Sequence, residues 1–317
     1  MTSAGESAGA SMNLHQITAY GNNTATPFNQ AFLFSPAFNP NPYNQSQELV
    51  YERVLTAANA TSLADLRKLS SQQMIAVNEA AIFQAPYGSS GFGPVVGDVF
   101  APSLPDVLLA EGQHTLNLKS LVVAHNTFEG LLFTNPAVQS PAAFDTYINS
   151  TLLPAMGLQA YEQLLDLYPA QFNNVTGLGY NDSISRLATV VGDFFINCNA
   201  NALAKAFPNK THALLFAEGA GLHGADTPYV FFNGAPAENE FNIGQVNSTV
   251  ATTMQDWLIR YVVTGSPNAP GQPILPLYEP GRTMALASNM FLGTNVTDPA
   301  QQARCDFWQQ AKWLSKA

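Results

Sequence analysis

Five residues near the start of the chain, Gly5-Glu6-Ser7-Ala8-Gly9, have the form Gly-x-Ser-x-Gly. Two glycines let a chain turn sharply from a strand into a helix and leave the hydroxyl between them exposed at the helix start. There the amide of Ala8 points to where an oxyanion would form, and the helix dipole favours negative charge. Alone the pattern is weak: a chain of this length with 22 glycines matches it by accident about one time in ten. The small and apolar run from Ala8 to Ile17 reads as the helix that such a turn requires.

A serine is a poor nucleophile without a base, and the base needs an acid to orient it. Five histidines are available. His212 opens an apolar strand and reads as structural, His15 lies on the helix behind the serine, and His114 sits in a polar stretch and is expected at the surface. His125 lies four residues before Glu129, a spacing that on a helix binds metal, but it follows a strand with no third ligand nearby. No metal and no other cofactor is called for. His223 differs, because it lies in the glycine-rich loop 218–224 after a buried strand, where a strand end opens onto a crevice. Its bland reading is a turn histidine. Glu129 closes the loop 124–130 after another buried strand, and its bland reading is a carboxylate at a helix start. The chain order Ser7, Glu129, His223 is the Ser…acid…His order of α/β-hydrolases.

The elements that must position these groups alternate. Asn29–Ser35, Leu118–Ala124 and Thr211–Ala217 read as buried strands, with Thr283–Ala287 as a last one. Helical patterns cover Gln47–Ala58, Ser62–Leu69, Ser70–Phe83 and Asn247–Thr264, the last stopped by Gly265-Ser266-Pro267, and Pro299–Leu314 closes the chain. Pro141–Pro208 is helical throughout, with Asp182 as an N-cap, and Phe92–Phe100 is an extended, glycine-broken stretch. Strands separated by helices mean an α/β fold with a mostly parallel sheet.

Gly-Glu-Ser-Ala-Gly-Ala-Ser (5–11), Phe28–Ser35, Phe92–Val96, Asn126–Gly130, His223–Phe231 and the helix end Trp257…Pro267 together resemble type B carboxylesterases, the family of cholinesterases and secreted fungal lipases. The resemblance spans nearly the whole chain. It implies an α/β-hydrolase fold whose triad matches Ser7, Glu129 and His223, with Glu6 and Asp226 as buried acidic neighbours. The substrate it implies is a small-molecule or lipid ester, used without a cofactor. The family usually has Val-Val-Asp-Gly where this chain has Val95-Val96-Gly97-Asp98, so that loop is expected to be remodelled. The family's elbow also lies well inside a longer chain, whereas only Met1 to Ala4 precede it here. By resemblance, residues 1–317 are one N-terminally truncated α/β-hydrolase domain, a sheet remnant with a large helical insertion at about 136–210. The strand that delivers the serine is expected to be almost absent. So is the His-Gly-Gly segment that supplies further oxyanion donors, since the chain has no adjacent glycine pair. The expected results are an open sheet edge prone to aggregation and little or no turnover, because losing one oxyanion donor typically costs about 10²–10³ in rate. The alternatives are a non-catalytic binding or adhesion module on the same fold, or an inactive fragment.

Length and 46% hydrophobic content are enough for a sizeable core. No apolar run reaches the ~18–20 residues of a membrane helix. Twelve Lys and Arg against 22 Asp and Glu, a net charge of −10, exclude nucleic acid and an anionic membrane as partners. The charged fraction of 11% is under half the ~25% usual for soluble domains, so other groups must supply polarity. Asn-x-Ser/Thr occurs at Asn22, Asn44, Asn59, Asn149, Asn174, Asn181, Asn209, Asn247 and Asn295, where chance predicts roughly three or four. These sequons predict a secreted glycoprotein as the full-length parent. The start of this chain carries no signal peptide pattern, its first basic residue being Arg53. In an exported protein Cys198 and Cys305 read as a disulfide, with pairing to a cysteine upstream, or two buried thiols, as the alternatives. Oligomeric state is not legible in the sequence.

Overall fold

Five short strands line up side by side in the order in which the chain makes them. In the computed structural model β1 (Thr2–Glu6), β2 (Gln30–Phe34), β3 (Ser120–Asn126), β4 (Thr211–Phe216) and β5 (Arg282–Leu286) are parallel neighbours, and β6 (Asn295–Thr297) adds antiparallel to β5. The structure describes residues 1–22, 24–40, 44–88, 91–154, 156–172, 179–234, 245–280, 282–286, 295–298, 300 and 302–311.

Helices fill each crossover, as parallel pairing demands. One helix, α1 (Ala8–Thr18), joins β1 to β2. Between β2 and β3 come α2 (Asn44–Ala58), α3 (Leu63–Leu66), α4 (Ser71–Phe83) and α5 (Pro105–Ala110). Between β3 and β4 lie α6 (Pro141–Tyr147), α7 (Leu158–Leu167), α8 (Ser183–Gly192) and α9 (Cys198–Ala206). Then follow α10 (Thr227–Val230), α11 (Ser248–Thr264) and the closing α12 (Gln302–Gln309).

Alternate residues of each strand serve opposite faces of the sheet, and both faces are dry. Ala31, Leu33, Leu121 and Val123 pack under α1, α5 and α9; Phe32, Phe34, Val122 and Ala124 pack under α10 and α11. This is why the strands read as continuous apolar runs rather than as alternation. Trp257 of α11 is fully buried and donates its indole N–H to the Pro273 carbonyl, while Gly265, at φ 83°, ends that helix in the left-handed conformation. A third core, built from Phe144, Ile148, Leu164, Tyr168, Phe194 and Trp308, holds the helical insertion to α12. The disulfide Cys198–Cys305 joins α9 to α12 within it.

Several expectations are corrected. The strand that delivers the serine is present: Thr2–Glu6 pairs with Gln30–Phe34 over its full length. Small residues suffice there because β2 supplies the hydrogen-bond ladder. It does form the sheet edge, as expected. The helical run 141–208 is broken at 153–154 and 156–157 and again at 168–172 and 179–182, and two π-helical turns (148–152 and 193–197) interrupt it. Asp182 caps α8 as anticipated, accepting the Ser185 N–H. Residues 92–100 form a loop rather than an extended element. Helices α5 and α10 and strand β6 carry no clear periodicity and were not anticipated. His114 is half-buried against Phe207, ring centroids 4.5 Å apart, rather than at the surface. Among the described residues no helix is long and apolar enough to cross a membrane.

Candidate active site

All three predicted chemical groups sit just past the carboxyl ends of parallel strands, β1, β3 and β4. Ser7 occupies the turn between β1 and α1 with φ 54° and ψ −121°, a conformation that L-residues rarely adopt and that costs on the order of 1–3 kcal/mol. The surroundings enforce it. The Ser7 N–H donates to the Phe34 carbonyl at the end of β2, and the Ser7 carbonyl accepts from Ser11 and Ala37. A side chain at position 5 would run into the backbone of Gly9 and Ala10, so α1 can fold back over β1 only if residue 5 is glycine. Gly9 faces open space, so the second motif glycine is not sterically required. Ala8 is exposed, and its amide is among the first-turn N–H groups that a helix leaves unpaired.

Glu129 starts the helical turn after β3 (Glu129–Phe133) and is 1% exposed; His223 follows β4 and is 7% exposed. The two loops are zipped together: the Phe128 N–H donates to the Gly221 carbonyl at 2.8 Å, with a bridge between Phe128 and Leu222. Gly221, at φ 58°, lies so close to Thr127 that a Cβ would overlap its hydroxyl. Behind Glu129, Gly130 lets the turn press onto α8, where a Cβ would land on the Ala188 carbonyl. The result is a continuous relay. Ser7 Oγ is 2.7 Å from His223 Nε2, and His223 Nδ1 is 2.6 Å from Glu129 Oε2. Phe133 packs edge-on against the imidazole with centroids 5.0 Å apart, which limits its rotation.

Two residues to which the sequence assigned no role hold the other carboxylate oxygen. Glu129 Oε1 accepts from Ser35 Oγ at 2.6 Å, from the Asn126 N–H at 2.5 Å and from Asn126 Nδ2 at 3.2 Å. The available signal was positional: Ser35 follows β2 as Glu129 follows β3.

Electrostatics follow from this geometry. Burial would push the Glu129 carboxyl up, but the His223 hydrogen bond and charge, the Asn126 amide and the Ser35 hydroxyl bring it below its ordinary value. Burial works against a charged His223, yet the hydrogen bond to Glu129 and the charges of Glu129, Glu6 and Asp226 raise it. Both acidic residues expected beside the histidine carry shifted carboxyls there, but only Asp226 is buried, Glu6 being half-buried. Glu6 Oε1 lies 3.5 Å from His223 Nε2, and burial followed by the Glu129 charge raises its pKa against the lowering effect of His223. Asp226 is fully buried and its carboxyl oxygens make no hydrogen bond among the described residues. Burial, then the charges of Glu129 and Glu6, push it up to about 7.

The other histidines are occupied elsewhere. His15 Nδ1 lies 2.8 Å from the Ser11 carbonyl and His212 Nδ1 lies 2.7 Å from that of Leu275. His125 points at Asp298, 3.2 Å away, rather than sharing a ligand site with Glu129. Of the sequons, Asn59, Asn149, Asn181 and Asn209 are exposed, while Asn247 is half-buried and caps α11 through its side-chain oxygen. Asn174 and the side chains of Asn22, Asn44 and Asn295 lie outside the described residues.

A parallel sheet with helices on both faces and a strained serine between strand and helix defines the α/β-hydrolase fold. The Carboxylesterase family's sequence profile matches residues 1–308. The chain belongs to that family. It is 30% identical over 317 residues to carboxylesterase patB of Penicillium expansum and 29% identical over 311 residues to carboxylesterase patB of Aspergillus clavatus. These alignments take in 99% and 98% of this chain but 54% of each relative, so the chain spans about half the length of the curated relatives it matches. The crystal structure of Aspergillus niger EstA superposes with a TM-score of 0.78 at 20% identity, covering 97% of this chain and 63% of that one.

Proposed function

We propose that this chain cleaves carboxylic esters, small-molecule or lipid, through an acyl-serine intermediate on Ser7. Neutral His223 takes the hydroxyl proton through Nε2 as Ser7 Oγ attacks the ester carbonyl. Glu129 holds the ring by Nδ1 and stabilises the imidazolium that forms. The Ala8 N–H holds part of the oxyanion charge. Collapse breaks the C–O bond to the alcohol, which leaves with the proton from His223. Water then attacks the acyl group as His223 takes its proton, and the acid departs with Ser7 restored. Glu6 and Asp226 keep the surroundings of the imidazole acidic.

The observation that carries this reading is the pair of contacts, 2.7 and 2.6 Å, linking a serine at φ 54° through one imidazole to one buried carboxylate. The names carried by the relatives, carboxylesterase and, for a protein of Arthroderma benhamiae 26% identical over 263 residues, secreted lipase, support the ester class. With the Ala8 N–H as the assigned oxyanion donor and no His-Gly-Gly segment among residues 1–317, turnover by these residues alone is expected to be about 10²–10³ slower than with a further donor. Nucleophilic attack is expected to survive better than turnover. A fluorophosphonate probe should therefore label Ser7, with no labelling of Ser7→Ala, while hydrolysis of a short-chain aryl ester is slow. A folded chain whose serine resists the probe would refute the proposal and favour a binding role. Secretion of the full-length protein belongs to the same reading. It is supported by the four exposed sequons and checked by glycan mapping at Asn59, Asn149, Asn181 and Asn209.

A further inference from the structure

We propose that His125 and Asp298 form a second buried pair that positions the acid of the site, by holding Asn126 while Asn126 holds Glu129, and that it does so only while His125 carries both ring protons. The inference rests on the reading of Ser7, His223 and Glu129 given above.

His125 is the next-to-last residue of β3 and 4% exposed, and Asp298, in the connection from β6 to α12, is 5% exposed. Nδ1 lies 2.9 Å from the Asn126 carbonyl and Nε2 lies 3.2 Å from Asp298 Oδ1. A carbonyl has no proton to give, so Nδ1 must donate; a carboxylate opposite Nε2 calls for a second proton there. Asp298 Oδ1 is itself fixed by the Ala300 N–H at 2.8 Å. Asn126 is thus gripped by its carbonyl on one side while its N–H and side-chain amide grip Glu129 Oε1 on the other. A chain of hydrogen bonds runs from Asp298 through His125, Asn126, Glu129 and His223 to Ser7. A neutral His125 can donate from one nitrogen only and so loses either its bond to the Asn126 carbonyl or its bond to Asp298 Oδ1, which loosens one end of that chain.

The charges around His125 fit this role. Burial works against its protonation, but Asp298, the Asn126 carbonyl and the Glu129 charge push it up to about 9. Its ring shares the face of β3 with Leu121 and Val123, and Leu215 of β4 lies in register beside it. The titratable groups on the helices of that face are His15 on α1, Asp106 and Glu111 near α5, Lys205 on α9, and Arg304 and Asp306 on α12. Lys205 pairs with Asp306 at 2.7 Å, and Arg304 with Asp193 at 2.6 Å.

The test is a pH titration of the full chain, selectively labelled at histidine, followed by nuclear magnetic resonance. The expected result in the native sequence is a doubly protonated His125 at pH 8, and a His223 Nδ1–H signal, the proton shared with Glu129, that weakens in step with His125 deprotonation. Asp298→Asn, which removes the charge favouring the second proton, should move both events down by at least one pH unit. In that variant the alkaline fall in the rate of fluorophosphonate labelling should shift with them, the acid limb staying in place. A purely structural pair would slow labelling at every pH without moving the limb. A neutral His125 at pH 8, or a His223 signal indifferent to its titration, overturns the proposal in the native sequence alone, whether or not the variant folds. Absence of labelling at all pH values would instead count against the reading of Ser7, and the two resonances would still decide the pair.

Discussion

Replacing Ser35 with alanine removes one hydroxyl to which the sequence assigns no role and which the geometry makes important. Its Oγ donates to Glu129 Oε1 at 2.6 Å, and the acceptor is almost wholly buried. A hydrogen bond to a buried charged group contributes about 1.5–3 kcal/mol. The two Asn126 donors remain, which places the loss near the lower end, about 1.5–2 kcal/mol. Alanine retains the Cβ, so the strained backbone at φ 48° is no worse than before. The assay is urea unfolding at several pH values, with a lower midpoint and an unchanged slope expected at pH 8. The pH dependence is the sharper part. The Glu129 carboxyl sits below its ordinary value in the folded chain, so its contribution is present above the unfolded carboxylate value, ~4.3, and is lost as pH falls through the folded one. The gap between the two proteins must therefore close under acid conditions. Equal midpoints at pH 8, or a gap that persists once Glu129 is protonated, would refute the argument.

Further outcomes follow from the same site. Because neighbouring carboxylates outweigh burial at His223, labelling of Ser7 should rise with pH through a midpoint above the usual imidazole value of ~6.5, and Glu129→Gln should lower both that midpoint and the plateau. Gly5→Ala should prevent stable folding of the elbow, since its Cβ meets backbone atoms of Gly9 and Ala10. Gly9→Ala, facing open space, should instead be neutral or stabilising by about 0.5–1 kcal/mol in thermal melts. Gly130→Ala drives a methyl group into the Ala188 carbonyl and should cost at least the 1–3 kcal/mol of ordinary overpacking, with labelling reduced alongside because Glu129 is the next residue.

The sequence made the grouping of Ser7, Glu129 and His223 legible because each lies beside a glycine or a strand end whose local pattern is strong. The three central strands were legible too, since burial on both faces leaves unbroken apolar runs. β1 was not: Thr-Ser-Ala-Gly-Glu has little strand propensity, and its conformation comes from the ladder that β2 offers. The hold of Ser35 and Asn126 on Glu129, and of Asp298 on His125, joins residues up to 173 positions apart. Such contacts come from tertiary assembly and leave no periodic trace. The same holds for His114, whose polar neighbours suggested exposure while Phe207, distant in sequence, covers it.

The bond between Cys198 and Cys305, 107 positions apart, turns the stretch between them into a closed ring of polypeptide that includes β4, the His223 loop and α11. Ser7 and Glu129 stand outside that ring and His223 stands inside it. A protease that severed one peptide bond within the ring would yield two pieces that migrate together until a reductant parts them. A nicked molecule would keep its imidazole tethered opposite its serine for as long as its sulfurs stay oxidised.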